Sequence, residues 1–250
     1  MPYKVLQPGE DTREEGRCAL AVMAKAPHPG KVKTRLSPPL TPEQASALNI
    51  CFIRDTTENI RQVTEAGNSA GVVAYTPIGD EAAFDGLLPP AFQLLAQRGD
   101  AFGERLLHAS EDLFACGFSA VCLIDSDSPT MPQDALLQAV ETLSRPGDRM
   151  VLGGSDDGGY YLLGIKRLHH RLFEQIDWST GRVLAQTLER AKEIGLDAEL
   201  LPTWYDVDDA ATLDRLRREL AAPTGAGYNA RHTRGYLESL QPACTTSSSR

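Results

Sequence analysis

The chain is poor in the features that would staple it, anchor it in a bilayer or coat it with positive charge. Its five cysteines (Cys18, Cys51, Cys116, Cys122, Cys244) are odd in number, widely spaced and free of any CxxC pair. That argues against a disulfide framework and a zinc site, and points to reduced thiols. No run approaches the roughly 18 apolar residues of a membrane span. The opening MPYKVLQPGEDTREEG lacks the apolar centre of a signal peptide. A cytoplasmic protein is expected. Lysine and arginine (25) are outnumbered by aspartate and glutamate (34), for a net charge of −9. This balance argues against nucleic acid and anionic membranes as partners. The histidines show no metal-ligand spacing. What the chain does have is apolar mass: 42% of its 250 residues are hydrophobic, enough to bury a core.

Strand-like and helix-like segments alternate along residues 17–222. Apolar runs at Cys18–Ala24, Gly71–Tyr75, Phe92–Ala96, Ser119–Ile124, Met150–Leu152, Tyr160–Ile165 and Ala198–Leu201 read as strands. Helices are expected over Thr41–Gly67, Asp100–Cys116, Met131–Ser144, Thr180–Ile194 and Asp209–Ala221. In the second of these, Phe102, Leu106, Leu107, Leu113 and Phe114 form the expected buried face. Such alternation predicts one α/β domain, a three-layer α/β/α sandwich around a mainly parallel sheet. Residues 1–16 read as a flexible arm. Residues 223–250 read as an extension, ordered in part around Tyr228 and Tyr236–Leu240.

In parallel sheets, ligands gather beyond the carboxyl ends of the strands, and three polar groups fall there. The first strand opens into KAPHPGKVKTRL, residues 25–36, which concentrates Lys25, Lys31, Lys33 and Arg35 in an acidic protein. Phosphates need several fixed cations and free N–H groups, and Pro27, Pro29 and Gly30 stiffen the loop while letting a ligand approach. Lys25, Pro29, Gly30, Lys33, Thr34 and Arg35 are the expected nucleotide-phosphate set; a solvated surface loop explains the same charges. After the central strand come Asp125 and Asp127, and after the last come Asp206 and Asp208. Each pair is spaced i, i+2, so in extended chain both carboxylates face one side. With no His or Cys nearby, Asp125, Asp127 and Asp208 are the expected ligands of Mg²⁺ or Mn²⁺; turn capping is the plainer role. Asp209 is placed to cap the last helix.

The stretch Ser155–Tyr161 (SDDGGYY) reads equally as a hairpin turn or as a place of close ligand approach. Asp157 is its candidate acid/base, with Lys33 as the second candidate catalytic group. Gly158, Gly159, Tyr160, Trp178 and Thr180 are candidate acceptor contacts. For Trp178 packing competes with that role, and for Ser179 or Thr180 helix capping does.

These pieces, in this order, resemble a bacterial family of nucleotide-diphospho-sugar-transferase-like proteins of GT-A fold. The family is catalogued as DUF2064, or as glycosyltransferases of the radical-SAM/selenodomain-associated, arsenosugar-biosynthesis type. The resemblance spans Cys18–Leu220. It rests on the KxPxPGxVKTRL pattern from Lys25 to Leu36, the turn Asp125–Met131, the segment DGGYYLLG from Asp157 to Gly164, and the WST and DVD stretches at Trp178–Thr180 and Asp206–Asp208. Asp125 stands where the family usually has glycine, which leaves Asp127 as the inherited acid. The resemblance implies a GT-A fold and a transfer from a nucleotide sugar to a small-molecule acceptor, with Asp127 and Asp208 holding the metal. The chain is also distantly similar to 2-phospholactate guanylyltransferases, which share the KTRL loop and the late DVD turn. That similarity implies the alternative, nucleotidyl transfer from an NTP with release of pyrophosphate. A nucleotide-binding regulator without catalysis is the non-enzymatic alternative.

Overall fold

A computed structural model describes residues 3–10, 14–222 and 227–240. The strands are β1 (Lys4–Val5), β2 (Cys18–Lys25), β3 (Ser69–Thr76), β4 (Gln93–Ala96), β5 (Ala120–Ile124), β6 (Met150–Ser155), β7 (Tyr160–Ile165) and β8 (Ala198–Trp204). They form one eight-stranded sheet of order β1-β4-β3-β2-β5-β7-β6-β8. Only β7 runs antiparallel to its neighbours, β5 and β6. The helices are α1 (Pro42–Thr64), α2 (Phe102–Ala115), α3 (Gln133–Ser144), α4 (Val183–Glu193), α5 (Ala210–Ala221) and α6 (Arg231–Ser239).

The strand alternation sorts side chains into two apolar layers. On β2, Leu20, Val22 and Ala24 face a core completed by Ile53, Ile60 and Val63 of α1 and by Leu136, Ala139 and Leu143 of α3. Ala19 and Ala21 face the other way, toward Leu106, Ala109 and Leu113 of α2 and Ala191 of α4. The three-layer α/β/α architecture is therefore as expected. A third cluster lies off the sheet and matters most for the site. Leu36 and Leu40 of the cationic loop pack with Leu48 and Phe52 of α1, Tyr205 and Val207 after β8, and Leu213 and Leu216 of α5. This apolar knot fixes the loop beside the turn that follows the last core strand.

Helix signals held well at α1 and α5. Thr41 forms a capping box with Gln44 ahead of Pro42, and Asp209 accepts a hydrogen bond from the Thr212 N–H. Elsewhere the structure corrects the sequence. The stretch expected as a loose arm supplies β1, which pairs in parallel with β4, and buries Leu6. β6 and β8 extend to pair Ser155 with Trp204 across a register shift. Helix α4 starts at Val183, so neither Ser179 nor Thr180 caps it; residues 177–182 form a loop instead. In the C-terminal stretch, α6 packs on α1, where the wholly buried Asp55 carboxylate accepts the His232 and Thr233 N–H groups at 3.0 and 2.8 Å. Residues 223–226 and 241–250, with Cys244, lie outside the described residues.

Candidate active site

The loop and the two acidic turns meet. Lys33 sits in the left-handed region (φ 47°, ψ 39°), a backbone kink that sends its side chain inward. Its Nζ lies 2.8 Å from Asp127 Oδ2 and 2.9 Å from Asp208 Oδ1, and donates to the Val207 carbonyl at 2.8 Å. The side chain is only 4% exposed, with the Phe52 ring beneath it. Burial works against the ammonium, but the charges and hydrogen bonds of Asp127 and Asp208 outweigh it and raise its pKa. An ammonium has three donors, and here all three are taken. The backbone seals the junction, since Val207 N–H donates to the Asp127 carbonyl at 2.9 Å.

Beside this knot opens a cleft of about 270 Å³ lined by five carboxylates, Asp125, Asp127, Asp157, Asp206 and Asp208, and a single basic side chain, Arg35. Arg35 is largely exposed and approaches Asp208 at 3.5 Å. The carboxylates differ in state. Asp125 turns to Ser128, whose hydroxyl donates to Oδ2 at 2.8 Å, while Oδ1 is buried without a partner. Burial first, then the Asp127 charge, raises its pKa well above the carboxylate range. Asp206 is pushed up to about 6 by burial and by the charges of Asp208 and Asp157. Asp157 Oδ1 accepts the Gly159 N–H at 2.8 Å.

The far wall of the cleft is aromatic. Trp178 meets Phe102 edge-on at 5.7 Å, and Tyr160, Ser179 and Thr180 complete the lining. Ser179 is held at φ 62°, and Thr180 Oγ1 donates to the Asp177 carbonyl at 2.7 Å. Two glycines set this wall. A Cβ on Gly103 would lie 2.1 Å from Trp178 Nε1, and one on Gly158, at φ +88°, would lie 2.2 Å from the Gly181 carbonyl oxygen. Gly103→Ala is therefore expected to push Trp178 out of the wall, at a cost of about 1–3 kcal/mol. A changed tryptophan emission spectrum and a lowered urea midpoint check this; an unchanged spectrum contradicts it.

Of the sequence-predicted residues, Lys33, Arg35, Asp125, Asp127, Asp157, Gly159, Tyr160, Trp178, Thr180 and Asp208 come together here, with Gly158 in the adjoining turn. Lys25, Pro29, Gly30 and Thr34 are exposed on the loop and do not line this cleft. Three expectations are corrected. Lys33 is not a free phosphate ligand, because its donors are spent on Asp127, Asp208 and Val207. Asp125 does not join Asp127 in facing one ion. The two acids expected to clamp Mg²⁺ or Mn²⁺ clamp the lysine instead, and among the described residues no group of three or more His, Cys, Asp or Glu side chains is arranged to hold a metal. The residues present do not fit a resident divalent ion.

Sequence reasoning also missed Phe102, expected in the core but 42% exposed at the cleft; its helical spacing from Leu106 matched a core position. The sequence pairs Asp206 with Asp208 by spacing alone; the nearby Asp208 charge is legible there, but the burial and the Asp157 charge that also raise its pKa are not.

Residues 59–180 match the model of a family described as an uncharacterized protein conserved in bacteria, DUF2064. The resemblance read from the sequence is thereby borne out. Among solved structures, the chain is similar to a protein from Desulfovibrio desulfuricans G20 described provisionally as a nucleotide-diphospho-sugar transferase. The two share 28% identity and a TM-score of 0.79, over 90% of this chain and 95% of that one. More distant likenesses show the fold alone. A CMP:2-keto-3-deoxy-manno-octonic acid synthetase complexed with CTP has 14% identity and a TM-score of 0.53, over 81% and 97% of the two chains. A 4-diphosphocytidyl-2C-methyl-D-erythritol synthase from Anaerococcus prevotii DSM 20548 has 10% identity and a TM-score of 0.50, over 80% and 97%. No curated protein matches the chain. Among the described residues no helix is long and apolar enough to cross a membrane.

Proposed function

We propose that the protein is a nucleotide-dependent transferase that moves a sugar from a nucleotide-diphospho-sugar to a small acceptor. The observation that carries this reading is the acidic lining of the cleft: Asp157 and Asp206, beside the Lys33-bridged Asp127 and Asp208, against the single basic side chain Arg35. Glycosyl transfer builds positive, oxocarbenium-like charge on the sugar, which surrounding carboxylates stabilise. Both donors carry phosphates that need Arg35, but in nucleotidyl transfer the reacting centre itself is a phosphoryl group whose oxygens carry negative charge, which carboxylates placed around it repel. The similarity to the Desulfovibrio protein supports the same choice.

In this reading the acceptor hydroxyl or thiol attacks the anomeric carbon as the bond to the diphosphate oxygen breaks. Its proton passes to a cleft carboxylate, and the nucleoside diphosphate leaves beside Arg35. Asp206 is well suited as the base, because a pKa of about 6 lies near working pH; Asp157 lies close enough to raise it and helps position the acceptor. Trp178, Phe102 and Tyr160 offer faces on which a sugar ring packs, and Thr180 offers a hydroxyl. The nucleotidyl alternative is supported by the cationic loop itself, whose exposed Lys25 and Lys31 offer charge for a triphosphate.

Thermal stabilisation by a panel of UDP- and GDP-sugars, set against the matching NTPs, tests the donor class; stabilisation by NTPs alone overturns the reading. The base has its own signature. The rate at saturating substrate is expected to rise with pH through about 6, as Asp206 loses its proton, and to level above it. Asp206→Asn is expected to lower the rate by about 10²–10⁴-fold and erase that inflection. An inflection kept in the variant assigns it to another group.

A further inference from the structure

We propose that Lys33 is the site's own resident cation, occupying the position between Asp127 and Asp208 that a divalent ion would otherwise take. The two carboxylates are bridged by one ammonium at 2.8 and 2.9 Å. Three features make the lysine a fixture rather than a visitor. Its backbone conformation is the left-handed kink that turns it inward, and its side chain is almost wholly buried. Its third donor is anchored on the Val207 carbonyl, a group with no interest in exchanging for phosphate. Leu36, three residues on, is locked in the apolar cluster that binds the loop to α1 and α5. Swinging Lys33 out would strand a main-chain acceptor and leave two like charges facing each other.

The oxygen of each acid that faces Lys33 is committed to the ammonium, and the second oxygen has a partner as well. Asp127 Oδ1 already accepts the Ser126 hydroxyl at 3.0 Å, and Asp208 Oδ2 faces Arg35 at 3.5 Å. An ion and the ammonium therefore exclude each other at these two acids. The charge of the donor's phosphates falls instead to Arg35, the one basic side chain lining the cleft among the described residues. The inference concerns the cation and stands apart from the choice of donor.

Mn²⁺ titration of the full-length protein, read by water-proton relaxation, tests it without any assay of transfer. Wild type and Asp208→Asn are expected to bind Mn²⁺ alike and weakly. Lys33→Met, which keeps the apolar stem over Phe52 and removes the charge, is expected to gain Mn²⁺ affinity at least tenfold, and to lose that gain when Asp208→Asn is added. Wild-type binding of one Mn²⁺ that weakens tenfold or more in Asp208→Asn would overturn the proposal. So would a folded Lys33→Met protein that titrates like wild type. Should Lys33→Met not fold, the wild-type and Asp208→Asn pair decides alone.

Discussion

Lys33→Ala is expected to lower stability by about 2–4 kcal/mol and to reduce transfer by at least two orders of magnitude. Removing one partner of a buried ion pair costs about 3–5 kcal/mol because the other charge is left uncompensated. Asp127 and Asp208 are each about a third exposed, so water recovers part of that cost. The loss in rate has a separate origin. Lys33 ties the loop to the carboxylates of both the turn after β5 and the turn after β8, and a displacement of about 1 Å at a reacting group is enough for a hundredfold loss. The urea midpoint measures the first effect and single-turnover kinetics the second. Lys33→Arg separates charge from geometry: it keeps the cation but cannot place one point donor between three acceptors. It is expected to recover stability more fully than rate. Wild-type stability in Lys33→Ala would mean that the apolar cluster around Leu36 holds the loop unaided.

Asp55→Ala is expected to cost about 2–4 kcal/mol and to release α6 from α1. Its carboxylate takes the first free N–H groups of α6, those of His232 and Thr233, and hydrogen bonds to a charged group are worth about 1.5–3 kcal/mol each. The cap is internal: an acid in the middle of α1 terminates a helix far away in sequence. Burial pushes the Asp55 carboxyl upward although the N–H groups of Thr233 and His232 oppose this. Asp55→Asn, neutral and still an acceptor, is therefore expected to keep most of the stability. Amide hydrogen exchange over residues 231–239 checks this. Fast exchange in Asp55→Ala with slow exchange in Asp55→Asn is the expected result; protection unchanged in both contradicts the role of the cap.

The alternation of apolar runs was sufficient to read the layered sheet, because a buried strand cannot hide its composition and a helix with a Thr41 cap and Pro42 announces its start. The two ends of the chain were less readable. The β1 strand is two residues long and is stabilised by pairing with β4, and α6 has a mean composition too polar to stand out without its partner on α1. At the site, the sequence placed Lys33, Asp127 and Asp208 on converging strand ends but assigned them to phosphate and metal. Which charges pair is a matter of three-dimensional distance, and nothing in the KTRL or DVD spacing records that the lysine's donors are already spent. Asp206 illustrates the same limit, since its pKa is raised first by burial and, besides the neighbouring Asp208, by Asp157 from a distant part of the chain.

The charge of the cleft makes a commitment about which bond breaks. ³¹P NMR of the protein turning over a nucleotide-diphospho-sugar with a small hydroxyl or thiol acceptor follows that bond. Growth of nucleoside diphosphate resonances with no inorganic pyrophosphate is the expected result. Pyrophosphate growing from an NTP in the presence of a phosphorylated acceptor, with nucleotide sugars inert, would contradict it.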